Sequence, residues 1–183
     1  MGLYGSNQVM LDYARNALDF LPTPLTDIGI AAPGWHPHTY DLSSDDGWND
    51  LLDDLEDLWD DYDEASGVRW LGILPPSERF TYVPLAHQGL SGTPSIAVLA
   101  MGDRPEAGAH ELGHSVGLHH VNLPVGVPKG PYDTVDSGGN LRRAPFDVRA
   151  GVAVPLPAGD LMSYLNPIRP GITTWMRLFN ANF

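Results

Sequence analysis

Residues 110–120 read HELGHSVGLHH, and no other stretch limits the folds open to this chain so strongly. Residues four apart on a helix share one face about a turn from each other, so His110 and His114 offer two imidazoles to one point. His120 lies six residues beyond His114, and a continuing helix would carry it to the far side. Gly117 removes that obstacle. Glycine tolerates positive φ, so the helix can stop there and the chain can turn back. A fold that contains this stretch has to end its helix near residue 117 and return His120 beneath the first two rings. Three neutral imidazoles with a fourth position open are the donor set of a catalytic zinc site rather than a structural one. Glu111 is next to His110 and about a quarter of a circle round the helix. There it can take a proton from water at the metal without binding the metal itself. His119 sits beside His120 and is a second candidate for the third ligand; the spacing favours His120.

The chain has no cysteine, which removes thiolate zinc sites, disulfides and cysteine nucleophiles together. Its formal net charge of -13 is opposite in sign to that of a nucleic-acid binder, so no nucleic-acid partner is expected. Eleven Asp or Glu fall between Asp45 and Glu64. Among them Trp48, Leu51, Leu52, Leu55, Trp59 and Tyr62 recur at steps of three and four. That pattern predicts a helix over 46–65 with one apolar stripe and a solvated acidic outer face. The acids lack the glycine and spacing of a helix-loop-helix calcium loop. Asp133 and Asp136, in the loop-like YDTVDSGGN, are the better candidates for a structural calcium ion. His36 and His38 flank a proline and read as loop residues. No apolar run is long enough to cross a membrane. The first residues carry neither a basic start nor a clean apolar core, so no signal peptide is expected.

A length of 183 residues suits one domain, 1–183, with an upper part to about residue 117 and a lower part from about 118. Helical spacing runs from Gln8 to Phe20, and short strands are predicted over 25–31, 68–74 and 95–101. A further edge strand fits 85–90. Pro105 and Glu106 suit the first turn of the helix that carries the histidines. After Gly117 the chain reads as irregular as far as Leu161, with a last helix within 170–180. Strands alternating with helices predict an α/β layer with a mostly parallel sheet.

HELGHSVGLHH resembles the zinc-binding motif of the metzincin metallopeptidases, with every specified position filled. The stretch from Pro131 to Tyr164 is similar to that of bacterial members of the clan. The resemblance implies a methionine-containing turn beneath the metal. DLMSY at 160–164 supplies Met162, 42 residues after His120. Tyr164 then matches the tyrosine that in astacins and serralysins hydrogen-bonds the transition-state oxyanion. The implied fold is α+β: a twisted sheet with a backing helix and the active-site helix above, and an irregular lower half ending in a C-terminal helix. Substrate would run along the sheet's edge, near Leu85, His87, Gly89 and Leu90. The residue after the scissile bond would sit in a pocket walled by 165–175, which includes Ile168 and Trp175. The implied activity is zinc-dependent endopeptidase cleavage of protein or peptide substrates by a secreted or extracytoplasmic protein, expected as a monomer. A narrow processing peptidase and an inactive zinc-binding module are the alternatives. Two departures bear on the subfamily. Val121 follows the third histidine where several families place an acidic or other diagnostic residue. The lack of cysteine excludes the thiol latency switch of matrix metalloproteinases and the disulfide frameworks of astacins and reprolysins.

Overall fold

In α1 (Asn7–Leu18) Tyr13 and Ala17 are four residues apart, and Leu21 follows one turn later; all three are buried. This is the stripe by which an amphipathic helix joins a core. The computed structural model describes residues 7–22, 39–42, 44–62, 69–74, 97–101, 104–121, 136, 139–147, 150–163 and 168–180. The Tyr13 hydroxyl donates to the Arg104 carbonyl at 2.8 Å, which ties α1 to the start of the histidine-bearing helix.

Ser44 starts α2 (Asp45–Tyr62) as its N-cap, its Oγ accepting from the Gly47 N–H at 3.1 Å. The helix buries Trp48, Leu51 and Leu52 against Leu42 and Leu74. Trp48 satisfies its one donor by giving its indole N–H to the Leu42 carbonyl at 2.8 Å. Asp46, Asp50, Asp53, Asp57, Asp60 and Asp61 are exposed, as the spacing predicts.

Two apolar strands, β1 (Trp70–Leu74) and β2 (Ala97–Met101), pair in parallel with Trp70 opposite Ala97 and Leu74 opposite Met101. Helix α2 packs on both, and α3 (Pro105–Ser115) packs on β2 and on α1. Pro105 sits at the first helical position and Glu106 in the first turn.

The region expected to be irregular, up to Leu161, holds two-residue strands. β3 (Phe146–Asp147) pairs antiparallel with β4 (Val152–Ala153). β5 (Gly159–Asp160) pairs in parallel with β6 (Ile168–Arg169), which leads into α4 (Ile172–Asn180). Strands this short leave no periodicity in a sequence. Arg169 links the pieces: its guanidinium bonds Asp147 at 2.9 Å and lies 4.9 Å from the centre of the Phe20 ring. The chain is thus of mixed α and β structure, and among the described residues the strand pairs are both parallel and antiparallel. The larger core joins α1, α3, the 158–162 segment and Leu178 of α4. Among the described residues no helix is long and apolar enough to cross a membrane. The strand expected over 25–31 and the edge strand over 85–90 lie outside the described residues.

Candidate metal centre

Helix α3 places His110 and His114 one turn apart, with their Nε2 atoms separated by 3.1 Å. The helix ends at Ser115, and Gly117 follows with φ 84°. The Gly117 N–H bonds the His114 carbonyl at 2.8 Å, and the Leu118 N–H bonds the Gly113 carbonyl at 3.1 Å. This is a Schellman closure, in which a left-handed residue lets the chain reverse while capping the last carbonyls. The reversal brings His120 back, with Nε2 3.1 Å from His110 Nε2 and 3.0 Å from His114 Nε2. His110, His114 and His120 therefore form a group that can hold a metal ion. His119 is exposed and lies outside that group.

Two main-chain carbonyls settle which ring nitrogens are bare. His110 Nδ1 is 2.6 Å from the Leu161 carbonyl, and His114 Nδ1 is 2.7 Å from the Leu118 carbonyl. A carbonyl only accepts, so each Nδ1 carries the hydrogen and each neutral ring presents an Nε2 lone pair. Burial, with His114 nearby, pushes the His110 pKa down to about 3, against the pull of its Leu161 bond. Burial also lowers His114, and together with His114 and His119 it brings His120 down to about 4. At neutral pH the rings are uncharged, and the lone pairs of His110 and His114 face each other with no proton between them. A cation resolves that conflict. Three imidazoles with Nε2 atoms 3.0–3.1 Å apart fit a metal ion in number, charge and spacing.

Glu111 is 2% exposed, buried in the helix beside His110. Met162 is fully buried and seats on α3 at Gly113, where an added Cβ would lie 2.6 Å from its sulfur. The turn that carries Met162 supports both ends of the histidine stretch. The Leu161 carbonyl holds His110, and the Met162 carbonyl accepts the Val121 N–H at 3.0 Å, one residue after His120.

The lowered histidine pKa values predict how the metal-free protein responds to acid. An unfolded histidine takes up its proton near pH 6.5, whereas folded His110 resists until about pH 3. Between these values the unfolded state binds more protons, so stability is full above pH 6.5 and is lost as pH falls. His110 alone adds a slope approaching about 1.4 kcal/mol per pH unit within that window. Urea unfolding after chelator treatment should show the midpoint dropping between pH 6.5 and 5, where ordinary carboxylates hardly titrate. An unchanged midpoint over that range would contradict the buried, neutral assignment.

No family model, no curated protein and no solved structure matches the chain. Of the other candidates, Tyr164, Leu85, His87, Gly89, Leu90, His36, His38 and Asp133 lie outside the described residues. The Asp136 carboxylate closes a turn, accepting from the Asn140 N–H at 2.9 Å and the Asn140 side-chain amide at 3.0 Å. Trp175 is partly buried on α4. Spacing alone does not reveal the carbonyls of Leu118 and Leu161, because main-chain acceptors leave no mark on a sequence. Asp160 is different: an acid directly before the apolar Leu161–Met162 pair is a visible signal.

Proposed function

We propose that the chain is a zinc-dependent endopeptidase built on the metzincin plan. The observation that carries this reading is the convergence of three Nε2 atoms, two of them left bare by carbonyl bonds at Nδ1, beside a buried glutamate. The HELGHSVGLHH motif, the break at Gly117 and the seat of Met162 against Gly113 add support. His110, His114 and His120 would hold the ion. Zinc, when bound, lowers the pKa of a water molecule toward neutrality and polarises a peptide carbonyl. Glu111 would accept a proton from the attacking water as its oxygen bonds to the carbonyl carbon. It then delivers the proton to the leaving amine nitrogen as the C–N bond breaks. Tyr164, on the strength of the motif resemblance, donates a hydrogen bond to the oxyanion. Both carboxylate and imidazoles end the cycle as they began it.

Digestion of casein by the purified protein should stop on adding a chelator and return with stoichiometric zinc. Cleavage that continues in chelator would overturn the reading. So would a protein that takes up zinc and cleaves nothing, which would leave a binding module.

A further inference from the structure

Asp160 is fully buried, and its carboxylate gathers three donors from two separate segments. Oδ1 accepts the Met162 N–H at 2.9 Å and the Thr174 hydroxyl at 2.8 Å. Oδ2 accepts the Gly171 N–H at 2.9 Å and lies 3.0 Å from the same hydroxyl. Its main chain is equally engaged. The Asp160 carbonyl accepts both the Ser163 N–H and the Ser163 hydroxyl, and its N–H donates to the Gly139 carbonyl.

Gly171 immediately precedes α4, and Thr174 lies in its first turn. The helix is capped from a distant segment, by an anion at its positive end. The same carboxylate closes the turn at 160–163. That turn carries the Leu161 carbonyl, which fixes the tautomer and aim of His110, and the Met162 carbonyl, which holds the chain beyond His120. Groups that orient a metal-bound histidine from behind typically change metal affinity by about 10–100-fold when removed. Burying a carboxylate is unfavourable unless its oxygens are satisfied. Burial pushes the Asp160 carboxyl up, and the donors from Met162, Thr174 and Gly171 pull it back. A neutral residue with a local helix cap would hold α4 without that penalty. What the carboxylate adds is a rigid link between α4 and the Leu161 carbonyl that holds His110.

We propose that Asp160 is a positioning residue of the metal site, clasping α4 through Thr174 and Gly171 to the turn that aims His110. The proposal rests on the reading that His110, His114 and His120 hold a metal.

The test compares wild type with Asp160→Asn, Thr174→Val, Thr174→Ser and, as a control, Leu52→Ala. Leu52 belongs to the separate cluster around Trp48. Zinc affinity is read by competition with a chromophoric chelator, the ligand field by the visible spectrum of the cobalt-loaded protein, and folding by circular dichroism. Asp160→Asn and Thr174→Val should weaken zinc by about 10–100-fold and shift the cobalt bands. Thr174→Ser, which keeps the hydroxyl, should stay close to wild type. Leu52→Ala should lower Tm and leave zinc affinity alone. If Asp160→Asn does not fold, Thr174→Val decides the matter. Unchanged zinc affinity in Thr174→Val overturns the proposal, as does an equal loss in Leu52→Ala, since either makes the clasp merely structural. A wild-type protein that binds neither zinc nor cobalt overturns the three-histidine reading itself, and the role of Asp160 with it.

Discussion

Replacing Glu111 with Gln should leave a folded protein that still binds one zinc ion and cleaves peptides at least about a hundredfold more slowly. The expectation follows from what the substitution keeps and what it removes. Gln has nearly the shape of Glu, so a side chain that is 2% exposed is replaced without a cavity or a clash. The donor set is untouched. His110 and His114 are aimed by the Leu161 and Leu118 carbonyls, and neither bond involves residue 111. A neutral amide cannot accept a proton from water or pass one to an amine, so the proton path alone is lost. General-base removal typically costs about 10²–10⁴ in rate. Metal content and kcat/KM on a fluorogenic peptide, measured on one preparation, separate the two effects. Turnover within a few-fold of wild type would remove Glu111 from the mechanism. In the same assay Tyr164→Phe should lower kcat moderately with little change in KM, and an untouched kcat would withdraw its oxyanion role.

Helix α2 is written plainly in the chain because its apolar residues recur at steps of three and four while acids fill the rest. Strand β2 is legible as an apolar run with a turn signal before it, and α4 as a short stripe after Pro170. These elements are set by local periodicity, which a sequence carries directly. The pairs β3–β4 and β5–β6 are not legible. Two residues have no period, so the apolar pattern marks neither the return from Asp147 to Val152 nor the pairing of Gly159–Asp160 with Ile168–Arg169. The candidate site divides in the same way. His110 and His114 follow from helix geometry, and the return of His120 follows from the conformational freedom of Gly117. The Leu161 carbonyl that fixes His110 is 51 residues from it, and no spacing rule connects them. The clasp of Asp160 with Gly171 and Thr174 is hidden for the same reason, since its partners meet only once α4 has docked.

The choice between the two adjacent histidines gives the other large effect. His120→Ala should abolish tight zinc binding, while His119→Ala should change affinity by less than about threefold, the scale of an ordinary surface substitution. His120 Nε2 completes a triangle with sides of 3.0–3.1 Å, and His119 is exposed outside it. Register explains why the two cannot simply exchange. The Schellman closure fixes Leu118, and the Val121 N–H is held by the Met162 carbonyl at 3.0 Å. Both ends of the Leu118–Val121 segment are therefore anchored. Bringing His119 inward would require the segment to turn over and break one anchor. Loss of the His120 ring leaves two imidazoles, and the affinity lost should exceed the roughly 100-fold ceiling typical of residues that only orient a ligand. Zinc competition titrations on the two variants, with circular dichroism to confirm that both fold, provide the measurement. Retention of tight zinc in His120→Ala together with its loss in His119→Ala would reverse the assignment. It would also mean that the chain after Gly117 takes a different path from the one set by the Val121–Met162 bond.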